Sequence, residues 1–214
     1  MTAVGLAEFE RAYREALAGV WPHWSPGMQA EMARHCHGWS PERFDFRAYL
    51  DASAARFHRA YRALAEDASV RSVCDVGGFW GVFPLTLKRL GYEVAMTESL
   101  RYYSEAFRGL FDHVAAQGVE IVDYDPFEEG SPLAGSWDAV TVMAVLEHYP
   151  HSLRPFMENV VAGVRPGGMV FVEVPNIAFW PKRVSFLRGH SPHTPIGDVY
   201  RSAVPFIGHH HEFT

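Results

Sequence analysis

The chain has 214 residues, of which 48% are hydrophobic and 21% charged, which suits one globular domain with a small appendage and excludes a disordered chain. Its formal net charge of -6 argues against nucleic acid or an anionic membrane as the main partner, since both reward clustered Lys and Arg. Two cysteines, Cys36 and Cys74, make neither a disulfide framework nor a CxxC site. The N-terminus carries acids rather than an apolar leader and no run reaches membrane-span length, so a reducing cytoplasm is the expected setting.

In chain order, residues 1–66 read as a helical cap or lid. Phe9, Tyr13, Leu17 and Val20 recur at helical spacing. Ser25-Pro26 and Ser40-Pro41-Glu42 each pair an N-cap with proline at the first helical position. A longer helix is expected over 46–64, marked by Tyr49, Phe57, Tyr61 and Leu64. From residue 67 onward the pattern changes to short apolar runs alternating with helical stretches. Strands are expected over 70–76, 92–97, 119–123, 137–145 and 169–174. Helices are expected over 79–90, 100–117 and 152–164, and Arg165-Pro166-Gly167-Gly168 reads as a turn. Such alternation predicts right-handed crossovers and a mostly parallel, doubly wound α/β sheet. A sheet of this kind takes its ligand at the carboxyl ends of the strands, so residues just after each strand carry the functional signal.

The first strand runs into Asp75-Val76-Gly77-Gly78-Phe79-Trp80-Gly81. A glycine-rich strand-to-helix turn lets a ligand approach the backbone, or is simply a tight turn. The dinucleotide fingerprint needs glycine at 77, 79 and 82, and Phe79 and Val82 break it. Asp75 would repel a phosphate but suits a cation. Glu98, about 20 residues on, has the spacing of an acid that binds ribose hydroxyls, or is an acid favoured at a helix start. After the third strand come Asp123-Tyr124-Asp125, where an acid can accept from an exocyclic amine and Tyr124 can pack on a flat ring, or the stretch is an acidic surface loop. The fourth and fifth strands lead into Met143-Ala144-Val145-Leu146-Glu147-His148-Tyr149 and Val174-Pro175-Asn176.

Taken together, D-x-G…G, an acid after each of the next two strands, W-D-x-V…L-E-H-Y and R-P-G-G…V-P-N resemble the class I S-adenosylmethionine-dependent methyltransferases over about residues 70–176, closest to the type 11/type 23 small-molecule subgroup. The resemblance implies a Rossmann-like sheet whose last two strands are missing from this chain, with residues 67–214 as the S-adenosylmethionine-binding domain. It assigns the methionine part of the cofactor to Asp75, Gly77 and Gly81, the ribose to Glu98, the adenine loop to Tyr124 and Asp125, and the sulfur side to Met143, and Gly78 is added to the cofactor-binding turn. Phe79 stands where the family has its central glycine, so the turn is expected to differ there, using Gly78, with Phe79 and Trp80 packed under the N-terminal helices.

The expected reaction is methyl transfer to an oxygen or nitrogen of a small molecule such as a sugar or natural product. His148 is the proton acceptor of choice among His148, His151 and His209–His211. Trp21, Trp24, Trp39 and Tyr49 either cover the substrate side or pack in the core. Three successive histidines near the end raise a metal, but they cannot all face one site. Metal-using methyltransferases with E-x-x-E-H after the fourth strand differ from this chain, which has Ala144 at the first Glu. The remaining set is short of ligands, and no metal is assigned. The oligomeric state is left open, a homodimer among the options. The alternative function is a catalytically inactive module that keeps the fold for binding a partner.

Overall fold

The alternation of strands and helices after residue 70 becomes a five-stranded sheet in the computed structural model, which describes residues 4–35, 45–128, 130–201 and 208–214. The strands are β1 (Ser72–Val76), β2 (Glu93–Glu98), β3 (Glu120–Asp123), β4 (Trp137–Met143) and β5 (Val164–Glu173). All pair in parallel, in the order β3-β2-β1-β4-β5. The order reverses between β1 and β4, which makes that junction the switch point where such sheets take ligands. The carboxyl ends are nearly flush: Val76 lies opposite Thr97 and Val142, Glu98 opposite Asp123, and Met143 opposite Glu173.

Both faces of the sheet are covered, as parallel strands require. The period of two along β1 sends Val73 to one side and Cys74 to the other. On the first side lie α1 (Leu6–Val20), α3 (Phe46–Glu66), α4 (Val82–Arg89) and α5 (Arg108–Ala116), with Phe9, Tyr13, Phe57, Phe83 and Phe107 at the centre of the core. On the second lies α6 (Leu153–Ala162), whose Phe156 and Val160 pack on Cys74, Val140 and Val142. Burial pushes the Cys74 thiol well up, as its reading as a small buried hydrophobe requires. The N-terminal helices therefore share one continuous core with the sheet. Between α1 and α3 lies α2 (Pro26–His35), and beyond β5 come α7 (Trp180–Leu187) and α8 (Ile196–Arg201). No helix among the described residues is long and apolar enough to cross a membrane.

The helix starts follow their capping chemistry. Ser25 Oγ accepts the N–H of Met28 at 3.2 Å, and Asp45 accepts that of Ala48 at 2.8 Å. The Ser40-Pro41-Glu42 cap, Cys36 and Trp39 lie outside the described residues.

Two elements differ from expectation. The helix expected over 100–117 begins only at α5, after single 3₁₀ turns at Leu100–Tyr102 and Glu105–Phe107. Ser104, between those turns, gives its N–H and hydroxyl to Glu31 of α2, a tether that fixes the backbone outside a regular helix. Arg165-Pro166-Gly167-Gly168 is a bulge within β5 rather than a turn before it: Val164 pairs with Trp137 while Met169 pairs with Ala139. Pro166 has no N–H to give the ladder, so four residues loop out between the two pairings.

Candidate functional site

The turn after β1 is built on two glycines at positive φ, Gly77 (71°) and Gly81 (67°). A Cβ at Gly77 would fall 2.8 Å from Val145 Cγ2, and one at Gly81 2.6 Å from Val114 Cγ2. Both positions are thus closed to side chains by space as well as by dihedral. Gly78 does not supply the missing glycine geometry. Phe79 itself adopts φ 23°, correcting the expectation of a rerouted turn. Backbone strain of this kind costs about 1–3 kcal/mol and persists only where neighbours hold it. The holding contact is the Phe79 N–H, which donates to Glu98 Oε1 at 2.5 Å. The Phe79 ring stacks on Tyr103, with centroids 5.7 Å apart and planes at 15°. Trp80 turns the other way and is buried against Trp21, Trp24 and Phe46 of the N-terminal segment. Trp80 therefore packs under the N-terminal helices, and Phe79 packs toward Tyr103 and Phe107.

The acids expected at the strand ends line one rim. Asp75 is 3% exposed and accepts the Thr141 hydroxyl at 2.5 Å. Burial pushes its carboxyl up to about 7. The Thr141 hydrogen bond opposes that rise, the Glu98 charge adds to it, and Arg56 opposes it. Glu98, buried at the end of β2, is likewise pushed up to about 7 by burial, against hydrogen bonds from the Tyr103 hydroxyl (2.7 Å) and the Phe79 N–H. Asp125 accepts the Phe127 N–H at 2.9 Å and is paired with Arg101. Ser99 Oγ bridges toward it from the end of β2, 3.4 Å away. Tyr124 is buried in the second core and gives its hydroxyl to the Ser131 carbonyl at 3.1 Å, so its ring belongs to the core. Met143 is buried at the end of β4.

The opposite rim is formed where β4 and β5 end. A 3₁₀ turn at Leu146–His148 follows β4, entered through Ala144 at φ 57°. The C-terminal segment folds back onto it. His210 and His211 both donate backbone N–H to the Glu147 carbonyl (2.6 and 3.3 Å), while the Ile177 N–H donates to the Phe213 carbonyl (2.9 Å). These bonds set the ring of His209 5.1 Å from that of half-buried His148. His211 turns away, its Nε2 lying 3.0 Å from the His151 carbonyl. Glu147 is 1% exposed and its Oε2 has no hydrogen-bond partner. Burial pushes its carboxyl up to about 7, reinforced by the charges of Glu173 and Glu212 and opposed by its own backbone N–H and by Arg56. Arg56 reaches across from α3 to Glu173 at 3.5 Å.

Sequence reading missed Thr141, Tyr103, Arg101 and Arg56. Thr141 carried a signal, a lone hydroxyl within the apolar run from Ala139 to Met143. Arg101 and Arg56 act across 24 and 117 residues, whereas Tyr103 bonds Glu98 from only five residues on, through the irregular 3₁₀ segment that replaces the expected helix.

A family profile described as a methyltransferase domain matches residues 46–213. Solved structures similar to the chain include coclaurine N-methyltransferase bound to N-methylheliamine and SAH (14% identity over 79% of this chain and 58% of that one, TM-score 0.47). A complex of DhpI with SAM and HEP shows 22% identity over 89% and 74%, TM-score 0.45. The N-methyltransferase NodS from Bradyrhizobium japonicum shows 16% over 58% and 68%, TM-score 0.46. The chain thus spans little more than half the length of the coclaurine enzyme. No curated protein sequence matches it. With the profile covering most of its length, the chain belongs to the methyltransferase domain family.

Proposed function

We propose that the chain binds S-adenosylmethionine at the carboxyl ends of β1, β2 and β3 and transfers its methyl group to an oxygen or nitrogen of a small molecule, a sugar or natural product. Within this reading, residues 1–66 cover the site and residues 67–214 hold the cofactor. One observation carries it: Asp75 and Glu98 are buried acids at neighbouring strand ends whose ionisation is held back to about pH 7. Buried carboxylates of this kind are stabilised by an incoming cation. The donor set fits the cofactor, which carries an ammonium and supplies a methyl group on a positively charged sulfur.

Asp75 and the backbone of Gly77, Gly78 and Gly81 would hold the methionine end. Glu98 would take the ribose hydroxyls in place of the Tyr103 hydroxyl that it accepts in this structure. Asp125 and the backbone at Tyr124 would border the base, and Met143 the sulfur. His148, on the facing rim, would take the acceptor's proton. Most of the acceleration comes from holding acceptor and donor in line. The buried Cys74 thiol accords with a reducing cytoplasmic setting.

A second reading, a binding module without catalysis, is favoured by the engagement of both Glu98 oxygens with Phe79 and Tyr103. Titration calorimetry separates the two. Binding of S-adenosylhomocysteine but not NADH supports the transferase, and binding of neither supports the module. A methylation screen of sugars, phenols and amines then identifies the acceptor.

A further inference from the structure

We propose that Glu147, His148 and His209 form a binding site for one divalent transition-metal ion, with Glu212 orienting His209. One carboxylate oxygen and two imidazole nitrogens lie within 4.8 Å of one another. The site is assembled by the fold: Glu147 and His148 come from the turn after β4, and His209 is carried in by the backbone bonds that His210 and His211 make to the Glu147 carbonyl. A second observation points to a ligand. Glu147 is 1% exposed, yet its Oε2 has no hydrogen-bond partner. A buried acceptor left unmade is costly, and a bound cation removes that cost.

The surroundings match a cation. Glu173 and Glu212 border the cluster, and each has a buried Oε2 without a partner. Glu212 Oε1 lies 3.8 Å from His209 Nδ1, leaving Nε2 as the other donor of that ring. A carboxylate behind a histidine fixes its ring and tautomer, the usual support for a metal ligand. Two imidazoles and one carboxylate select a borderline ion of the zinc, cobalt or nickel kind over calcium or magnesium, which prefer oxygen alone. Three protein ligands leave coordination positions open.

The ion's role rests on the proposed methyltransferase reading. At the acceptor rim it would hold and acidify an acceptor hydroxyl, and His148 would then serve as ligand rather than free base. The binding site itself does not depend on that reading.

The test uses the full chain without an affinity tag, stripped with chelator, then titrated with Co²⁺ alone while visible d–d absorption is followed. Glu147→Gln and His209→Ala are compared with His190→Ala, an exposed histidine elsewhere. Far-UV circular dichroism of each metal-free variant checks folding, and S-adenosylhomocysteine binding is measured on the same samples. The proposal expects saturation at one cobalt per chain, displacement by Zn²⁺, and affinity about tenfold or more weaker in the folded Glu147 and His209 variants but unchanged in His190→Ala. It is overturned if the wild-type chain gives no tight cobalt spectrum, or if the folded site variants bind cobalt as the wild type does. Cobalt failure with intact S-adenosylhomocysteine binding sinks the metal site alone; the reverse sinks the cofactor reading alone.

Discussion

Replacing Asp75 by asparagine removes a buried charge while keeping the shape of the side chain and an oxygen for the Thr141 hydroxyl. The carboxyl is raised from 3.8 to about 7 in the folded chain. At ~1.36 kcal/mol per tenfold change in proton affinity, ionising it there costs about 4 kcal/mol. Below about pH 4 the acid is protonated in both folded and unfolded chains and contributes nothing to the difference. Between about pH 4 and 7 the folded chain keeps a proton that the unfolded chain has lost, so stability falls as pH rises; above about 7 the full penalty stands. Allowing about 1 kcal/mol for an imperfectly paired amide, Asp75→Asn is expected to be about 3 kcal/mol more stable than wild type at pH 8 and within about 1 kcal/mol of it at pH 5. Urea unfolding of the ligand-free chains, followed by circular dichroism at both pH values, measures this. S-adenosylhomocysteine affinity should fall in the same variant by about tenfold or more, since a charge-assisted contact is worth about 1.5–3 kcal/mol. A variant less stable than wild type at pH 8, or an advantage equal at the two pH values, refutes the reasoning.

Three further outcomes are expected. Glu98→Gln should weaken S-adenosylhomocysteine binding about tenfold or more by calorimetry, and unchanged affinity would remove Glu98 from the cofactor site. Asp138 is held down to about 2: burial works against this and is outweighed by the Ser72 N–H, the Arg165 guanidinium and the Arg71 N–H. Asp138→Asn should therefore lose about 2 kcal/mol of unfolding free energy, measured by urea titration at pH 7, a deficit that closes as pH falls from about 4 toward 2, where the wild-type carboxylate takes up its proton. Trp80→Ala should cost about 3–5 kcal/mol of stability, because the indole fills the space between Trp21, Trp24 and Phe46.

The strands and their order of appearance were legible because hydrophobic periodicity is a local property, and the positions of Asp75, Glu98 and Asp125 followed from where each strand stops. What could not be read came from contacts between distant residues. Phe79 keeps a positive φ because Glu98, 19 residues on, accepts its N–H. Asp75 finds its hydrogen bond 66 residues away in Thr141. Ser104 leaves the helical path because Glu31, 73 residues earlier, holds it. The Tyr124 hydroxyl bonds the Ser131 carbonyl seven residues on, a contact that its place after a strand does not disclose. His209 is brought beside His148 by the backbone of the C-terminal segment, 61 residues on, which no spacing rule reveals.

The brace between Glu98, Phe79 and Tyr103 has a consequence for how this chain evolves. A single carboxylate steadies an awkward backbone and anchors a phenol, so none of the three positions can drift alone. A relative with glycine at 79 would have no strained backbone to steady and is expected to tolerate loss of the tyrosine. Lineages that keep an aromatic there should inherit all three as one unit, a covariation that sequencing of relatives can count.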